Sequence, residues 1–358
     1  MMDAIIKIRD WLKAHHYDGV ILSRRDNFAW VTGGKSNHVL QNTELGVASL
    51  VIKPDGIDLI ADNIDAKRIC DEETGLEVNK VAYPWYEPLG AFVKQYIGSS
   101  DIVSDTGIAA TDDVQEQLIE LRMKLSQDEV DDYKNLGNLC AELVEGVCRN
   151  ATPGQTEMDI ASQLKVLCIE KGISPDCVLV GSDERILNYR HPMPTNKKIS
   201  QSLMVVLGAQ RRGLNISITR IVYFGEIPEA IELKYRKVQY IFAVMQTMMK
   251  DDMTYKDYFD KVKALYKEAD YEAEWELHHQ GGPTGYGCRE YVVTPACEKR
   301  IKTGQAYAWN PTITGTKCEE TTLLTKDGVE VLTRTNGWPR RLIATEYGGI
   351  SVADILVK

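Results

Sequence analysis

Between Gln201 and Gly225 the chain has no aspartate and no glutamate, although 52 of its 358 residues are acidic. That gap excludes a hard-cation site built from carboxylates on this stretch, because such ions are held by anionic oxygen. Long apolar runs are also missing. No stretch approaches the roughly 20 residues that cross a bilayer, so no membrane partner is expected. The eight cysteines (Cys70, Cys140, Cys148, Cys168, Cys177, Cys288, Cys297 and Cys318) include no Cys-x-x-Cys pair. This usage reads as reduced thiols in a cytoplasmic protein rather than a disulfide frame or a zinc ribbon. Lys and Arg number 42, giving a formal net charge of -10. Phosphate contacts need clustered positive charge, so nucleic acid is not an expected partner. The opening Met-Met-Asp-Ala-Ile-Ile-Lys has neither the basic region nor the apolar core of an export signal.

What the chain does contain is ordinary globular material, 44% apolar and 26% charged, long enough for two cores. The first third alternates helix and strand signals. Ile5, Ile8 and Leu12 repeat at helical spacing over Met2 to His15, and Val20 to Leu22 reads as a buried strand. Phe28 to Val31 reads as a second strand stopped by Gly33-Gly34. Ala48 to Ile52 and Ile57 to Ala61 flank a Lys-Pro-Asp-Gly turn and predict a hairpin. A helix is expected from Ala66 and a strand over Asp101 to Ser104. A boundary is expected near Lys124-Leu125-Ser126, giving domains 1–124 and 125–358. Beyond it, Gln127 to Arg149 predicts a long helix, and Thr156 caps a second running to Glu170. Two more helices are expected over Pro228 to Met249 and Thr254 to Ala269, with strand hairpins between the helix pairs.

Leu203 to Gly225 has the pattern strand, Gly turn, strand, with Leu-Gly-Ala early and Thr-Arg late. Together with Asn27-Phe28-Ala29-Trp30-Val31-Thr32-Gly33, Leu121-Arg122, Lys124 to Glu129 and Thr152-Pro153-Gly154-Gln155-Thr156-Glu157, it resembles the creatinase, prolidase and methionine aminopeptidase superfamily. The resemblance implies an α/β (α+β) protein: an N-terminal creatinase/prolidase-type domain followed by a pseudo-two-fold "pita-bread" domain. It also implies a homodimer acting on a small-molecule substrate.

Metal-dependent members carry two Asp, one His and two Glu as ligands. Carried over by position, these are Val206, Ser217, Gly282, Asn310 and Glu319, so only Glu319 keeps the chemistry. The expectation is no cofactor and no metal, with the site pattern nearest to creatinase, which also lacks metal. The resemblance then implies His191 as general base and acid, since imidazole titrates near neutrality. Arg289 would orient a substrate acid group through its planar fork, and Glu319 would hold the scissile end. His279, Thr219, Asn310 and Glu290 are expected to line the substrate site, with Lys35 or His38 of the partner subunit closing it. A relocated metal site from His191, His278, His279 and Glu319 is the minor possibility.

The reading is therefore a metal-independent hydrolase of a C–N bond (amide, amidine or guanidine) in a small zwitterionic metabolite. Two alternatives stand beside it: an Xaa-Pro dipeptidase-type metallopeptidase, and a non-catalytic relative that binds a small molecule or peptide.

Overall fold

The computed structural model describes residues 2–358, which divide into two compact units, one ending at Met123 and the other starting at Lys124. In the first unit, helix α1 (Met2–His15) buries Ile5, Ile8 and Leu12 as the periodicity predicts. Strand β1 (Gly19–Arg24) leads into helix α2 (Arg25–Thr32). Here the strand expected at Phe28 to Val31 is corrected. Residues Asn27 to Thr32 are buried on every side, so the apolar run carries no period that separates a core helix from a strand. Gly33 ends the helix in the left-handed region (φ 69°) with its N–H on Ala29 O.

Strands β2 (Leu45–Ile52) and β3 (Ile57–Asp62) form the expected hairpin, closing at Ile52 opposite Ile57. The helix expected from Ala66 is a single turn, α3 (Ala66–Arg68), continued by a π-turn over Ile69–Glu73. Strand β4 (Asn79–Tyr83), helix α4 (Leu89–Ile97), strand β5 (Ile102–Ser104) and helix α5 (Gln115–Met123) complete the unit. The sheet order is β4-β3-β2-β1-β5, packed around Ile21, Val51, Ile60, Val93 and Ile102. Arg122, 1% exposed, donates to the Asn27 side chain and to Asp26 Oδ2 at 2.8 Å. Two separate sequence signatures thus meet where Arg122 donates to Asn27.

The second unit opens on α6 (Gln127–Asn150), where Ser126 and Glu129 form a reciprocal capping box. Thr156 and Asp159 cap α7 (Glu157–Glu170) in the same way. Then come β6 (Ser174–Ser182), α8 (Glu184–Asn188), β7 (Ser202–Arg211) and β8 (Leu214–Tyr223). A second pair, α9 (Glu229–Thr247) and α10 (Tyr255–Glu268), precedes β9 (Gly281–Thr284), β10 (Ala306–Trp309), β11 (Thr312–Ile313), β12 (Thr316–Lys317), β13 (Glu320–Thr325) and β14 (Gly328–Val331). The C-terminus adds β15 (Arg340–Thr345), β16 (Gly348–Ala353) and β17 (Leu356–Val357).

Each helix pair is followed by a four-stranded sheet, ordered β17-β8-β7-β6 and β14-β13-β10-β9. This is the duplicated half implied by the resemblance. The two sheets are stitched where Thr219 N donates to Glu319 O and Ser217 N to Thr321 Oγ1. Beneath the seam, fully buried Arg220 bonds Glu145 and Glu320, and Arg340 grips Glu320 bidentately at 2.9 Å. No described helix is long and apolar enough to cross a membrane. All eight cysteines are free thiols.

Candidate active site

The hairpin β7–β8 turns at Arg212-Gly213, both left-handed (φ 53° and 83°), the geometry that suits the strand twist. Its register sets Val206 opposite Thr219 and Gly208 opposite Ser217. The ligand frame therefore folds as the sequence suggests, but it does not fit the metal pair of the resemblance. Val206 belongs to the hydrophobic core, 4% exposed beside the buried apolar side chains of the second unit. Gly282 has no room for a side chain, because a Cβ there would lie 2.6 Å from Tyr291 O. Gly281 before it is left-handed (φ 100°), and a Cβ would sit 2.1 Å from Ala308 O. Asn310 is 2% exposed and its Oδ1 has no hydrogen-bond partner. Ser217 gives a hydroxyl that accepts from Arg289 Nη1 at 3.1 Å. Four of the five positions supply no anion, so hard Mn or Mg chemistry has no foothold there.

Glu319 is the exception, and it is already saturated. Lys317 Nζ lies 2.8 Å from its Oε2, Thr219 Oγ1 donates to the same oxygen at 2.6 Å, and Arg289 Nη2 stands 3.5 Å from Oε1. Burial alone would push this carboxyl up. Lys317, then Arg289, then the bonds from Lys317 and Thr219 outweigh burial and hold it at about 2. Its partners are thus internal, where the resemblance implies that Glu319 holds the scissile end of a substrate. Lys317 is not among the expected site residues. The signal was available, since residues two apart on an extended chain share a face.

Beside this group three imidazoles converge. His191 comes from the loop after α8, and His278 and His279 from the segment entering β9. His278 Nε2 and His191 Nε2 are 3.2 Å apart, and one potential ligand atom from each of the three rings lies within 4.8 Å of the others. The His278 and His279 rings stack at 4.6 Å, while His191 meets His278 edge-on at 5.1 Å. Burial, then Lys317, lowers His278 to about 2; burial, then Arg289, lowers His279 to about 4. His191 is lowered by burial and then Lys317. All three rings are neutral at pH 7, and in the His191–His278 pair one Nε2 donates to the other. His278, expected only as a member of a relocated metal site, is a full member of the cluster, with an unpartnered buried Nδ1.

Both strands of this arrangement are anchored. Arg190 is held by Glu274 and by Thr314 Oγ1 at 2.9 Å, and Pro192 packs so closely on Gly181 that a Cβ there would lie 2.6 Å from Pro192 Cγ. The buried Glu157 takes five donors, from Ser182, Arg185 and Thr195, which fixes the loop that carries His191. Gln280 Nε2 donates to His278 O at 2.7 Å, and Tyr266 OH to Gln280 Oε1 at 2.9 Å.

Of the expected site residues, His191, His279, Arg289, Glu319, Thr219 and Asn310 belong to the second unit, where charged and imidazole groups gather as described. Glu290 instead turns inward, its Oε1 accepting from Gly287 N at 3.0 Å, and braces the turn before Arg289. Lys35 and His38 belong to the first unit, where Lys35 Nζ donates to Glu72 O at 3.0 Å.

Residues 131–357 match Metallopeptidase family M24. The Xaa-Pro dipeptidase of Pyrococcus horikoshii is 21% identical over 355 residues, covering 94% of this chain and 98% of that protein. That of Pyrococcus furiosus is 23% identical over 237 residues, 62% of this chain and 66% of that protein. Among solved structures, the prolidase from Pyrococcus horikoshii OT3 superposes with a TM-score of 0.78 at 18% identity, covering 93% of this chain and 98% of that one.

Proposed function

This chain belongs to metallopeptidase family M24, and from that premise we propose that it hydrolyses the C–N bond of a short peptide or peptide-like amide, with the attacking water activated at the histidine cluster. The substrate class follows the Xaa-Pro dipeptidases to which the chain is similar. The mode of activation departs from a carboxylate-held metal pair, because four of the five carried-over positions are Val206, Ser217, Gly282 and Asn310. The observation that carries this reading is the convergence of His191, His278 and His279 next to Arg289 and Glu319.

In this proposal His191 is the residue on which water activation turns. Its ring is neutral at pH 7, so its lone pair can take a proton from water and return it to the leaving amine. Arg289 keeps a guanidinium 12% exposed at the site, placed to receive a substrate carboxylate. Glu319 and Lys317 hold Arg289 and the seam in position, with Thr219 fixing the carboxylate.

A panel of Xaa-Pro dipeptides, other dipeptides and small amides, assayed by amine release, tests this. Hydrolysis of at least one class is expected, with a loss of at least ~10² in turnover for His191→Ala. Full activity in that variant, or no hydrolysis across the panel, would sink the reading.

A further inference from the structure

We propose that His191, His278 and His279 form a mononuclear binding site for a borderline divalent transition-metal ion, with zinc as the first choice. The Nε2 atoms of His191 and His278 are 3.2 Å apart. Two nitrogens bound at about 2.0–2.1 Å to one tetrahedral ion are separated by roughly 3.3 Å, so this edge of the site is already formed. The third imidazole lies within 4.8 Å of both, and its side chain is exposed, so a small rotation about its χ angles closes the set. An Nε2–H···Nε2 hydrogen bond accounts for the first pair of rings alone. It does not account for a third ring stacked at 4.6 Å on His278, or for the buried His278 Nδ1 without a partner.

The donor chemistry names the class of ion. Three neutral nitrogens suit Zn, Co, Ni or Cu, whereas Mn and Mg prefer the carboxylates this site has lost. Lys317, Arg289 and Glu319 are the charged groups that face the rings, and together they leave one net positive charge. That charge opposes a dication and sets the expected affinity in the micromolar range rather than that of a structural zinc site. It equally favours an anionic water-derived ligand in the open position.

As a statement about binding, the proposal rests on this geometry alone. As a statement about catalysis, it rests on the hydrolase reading above and deepens it: a bound ion would lower the pKa of the attacking water, and His191 would act as the base only in the metal-free protein.

The test uses the full chain stripped with EDTA. Zn²⁺ is titrated calorimetrically and Co²⁺ by its visible d–d absorption, with hydrolysis of the dipeptide panel assayed before and after loading. His191→Ala and His279→Ala, both at exposed positions, are compared with wild type. A parallel titration blocks the exposed thiols Cys177 and Cys288 with iodoacetamide. We expect one equivalent bound, with four- or five-coordinate Co²⁺ bands, at least about tenfold weaker binding in each variant, and no change on alkylation. Binding without hydrolysis leaves the site standing and overturns the hydrolase reading. Hydrolysis that survives EDTA in protein that binds neither ion does the reverse. Binding that persists in both histidine variants, or disappears on alkylation, overturns the site.

Discussion

Lys317 Nζ lies 2.8 Å from Glu319 Oε2, and both side chains are only 4% exposed. An ammonium of the chain itself therefore neutralises the one carboxylate that survives at the ligand positions of the family. A buried carboxylate is costly unless it is paired and hydrogen-bonded, and here it is both. The same ammonium lies close enough to the imidazoles to lower them.

Removing that partner should be expensive. Lys317→Gln leaves Glu319 with Arg289 at 3.5 Å and Thr219, so the loss should stay below the about 3–5 kcal/mol of a fully uncompensated buried charge. Urea unfolding at pH 7 measures it. The double variant Lys317→Met/Glu319→Leu should recover much of the loss, because apolar replacement of a buried pair is often near neutral.

The carboxyl of Glu319 gives a pH dependence of definite sign. Its folded value is about 2 against an ordinary 4.5, so the unfolded chain binds more protons between them. Its stabilising contribution is complete above about pH 4.5 and is lost as pH falls through about 2, a total of about 3 kcal/mol. Urea midpoints at pH 6 and pH 3 should differ more for wild type than for Glu319→Gln. An equal slope in the two proteins would count against this assignment.

Arg220 is expected to be structural throughout. It bonds Glu145 and Glu320 as well as two backbone carbonyls, Thr219 O at 3.0 Å and Thr333 O at 2.8 Å. Arg220→Met leaves buried Glu145 with Arg149 and Glu320 with Arg340 as their remaining cations and should cost up to about 3–5 kcal/mol in thermal or urea unfolding. The Thr-Arg signature thus reports the fold rather than the chemistry.

Restoring the family ligands should fail. Val206→Asp places a carboxylate in the apolar core, where an unpaired ion costs several kcal/mol or takes up a proton. Gly282→His must displace the Tyr291 carbonyl. The double variant should unfold at lower temperature and gain no manganese, as read by differential scanning fluorimetry with and without Mn²⁺. A manganese-dependent rise in Tm would overturn this.

Gly181→Ala probes the loop at a distance. The added methyl meets the rigid ring of Pro192 at 2.6 Å and should shift His191. The expected readout is a chemical-shift change of the His191 ring with little loss of global stability. An unmoved His191 resonance would mean that the loop absorbs the methyl elsewhere.

The sequence by itself determined the long elements and their order. Ser126 and Thr156 are local start signals, and Ile5, Ile8 and Leu12 display a period, so helices α1, α6 and α7 follow from nearest neighbours in the chain. The missing carboxylates at Val206 and Ser217 were equally legible, because a strand register carries a ligand frame without needing its distant partners. The chain could not announce that Phe28 to Val31 is helical, since a segment buried on all sides shows no face. Nor could it announce that His191 and His278, 87 residues apart, bring their Nε2 atoms to 3.2 Å. Those outcomes depend on how two sheets close on each other, and long-range closure is set by packing of the whole core rather than by any local propensity.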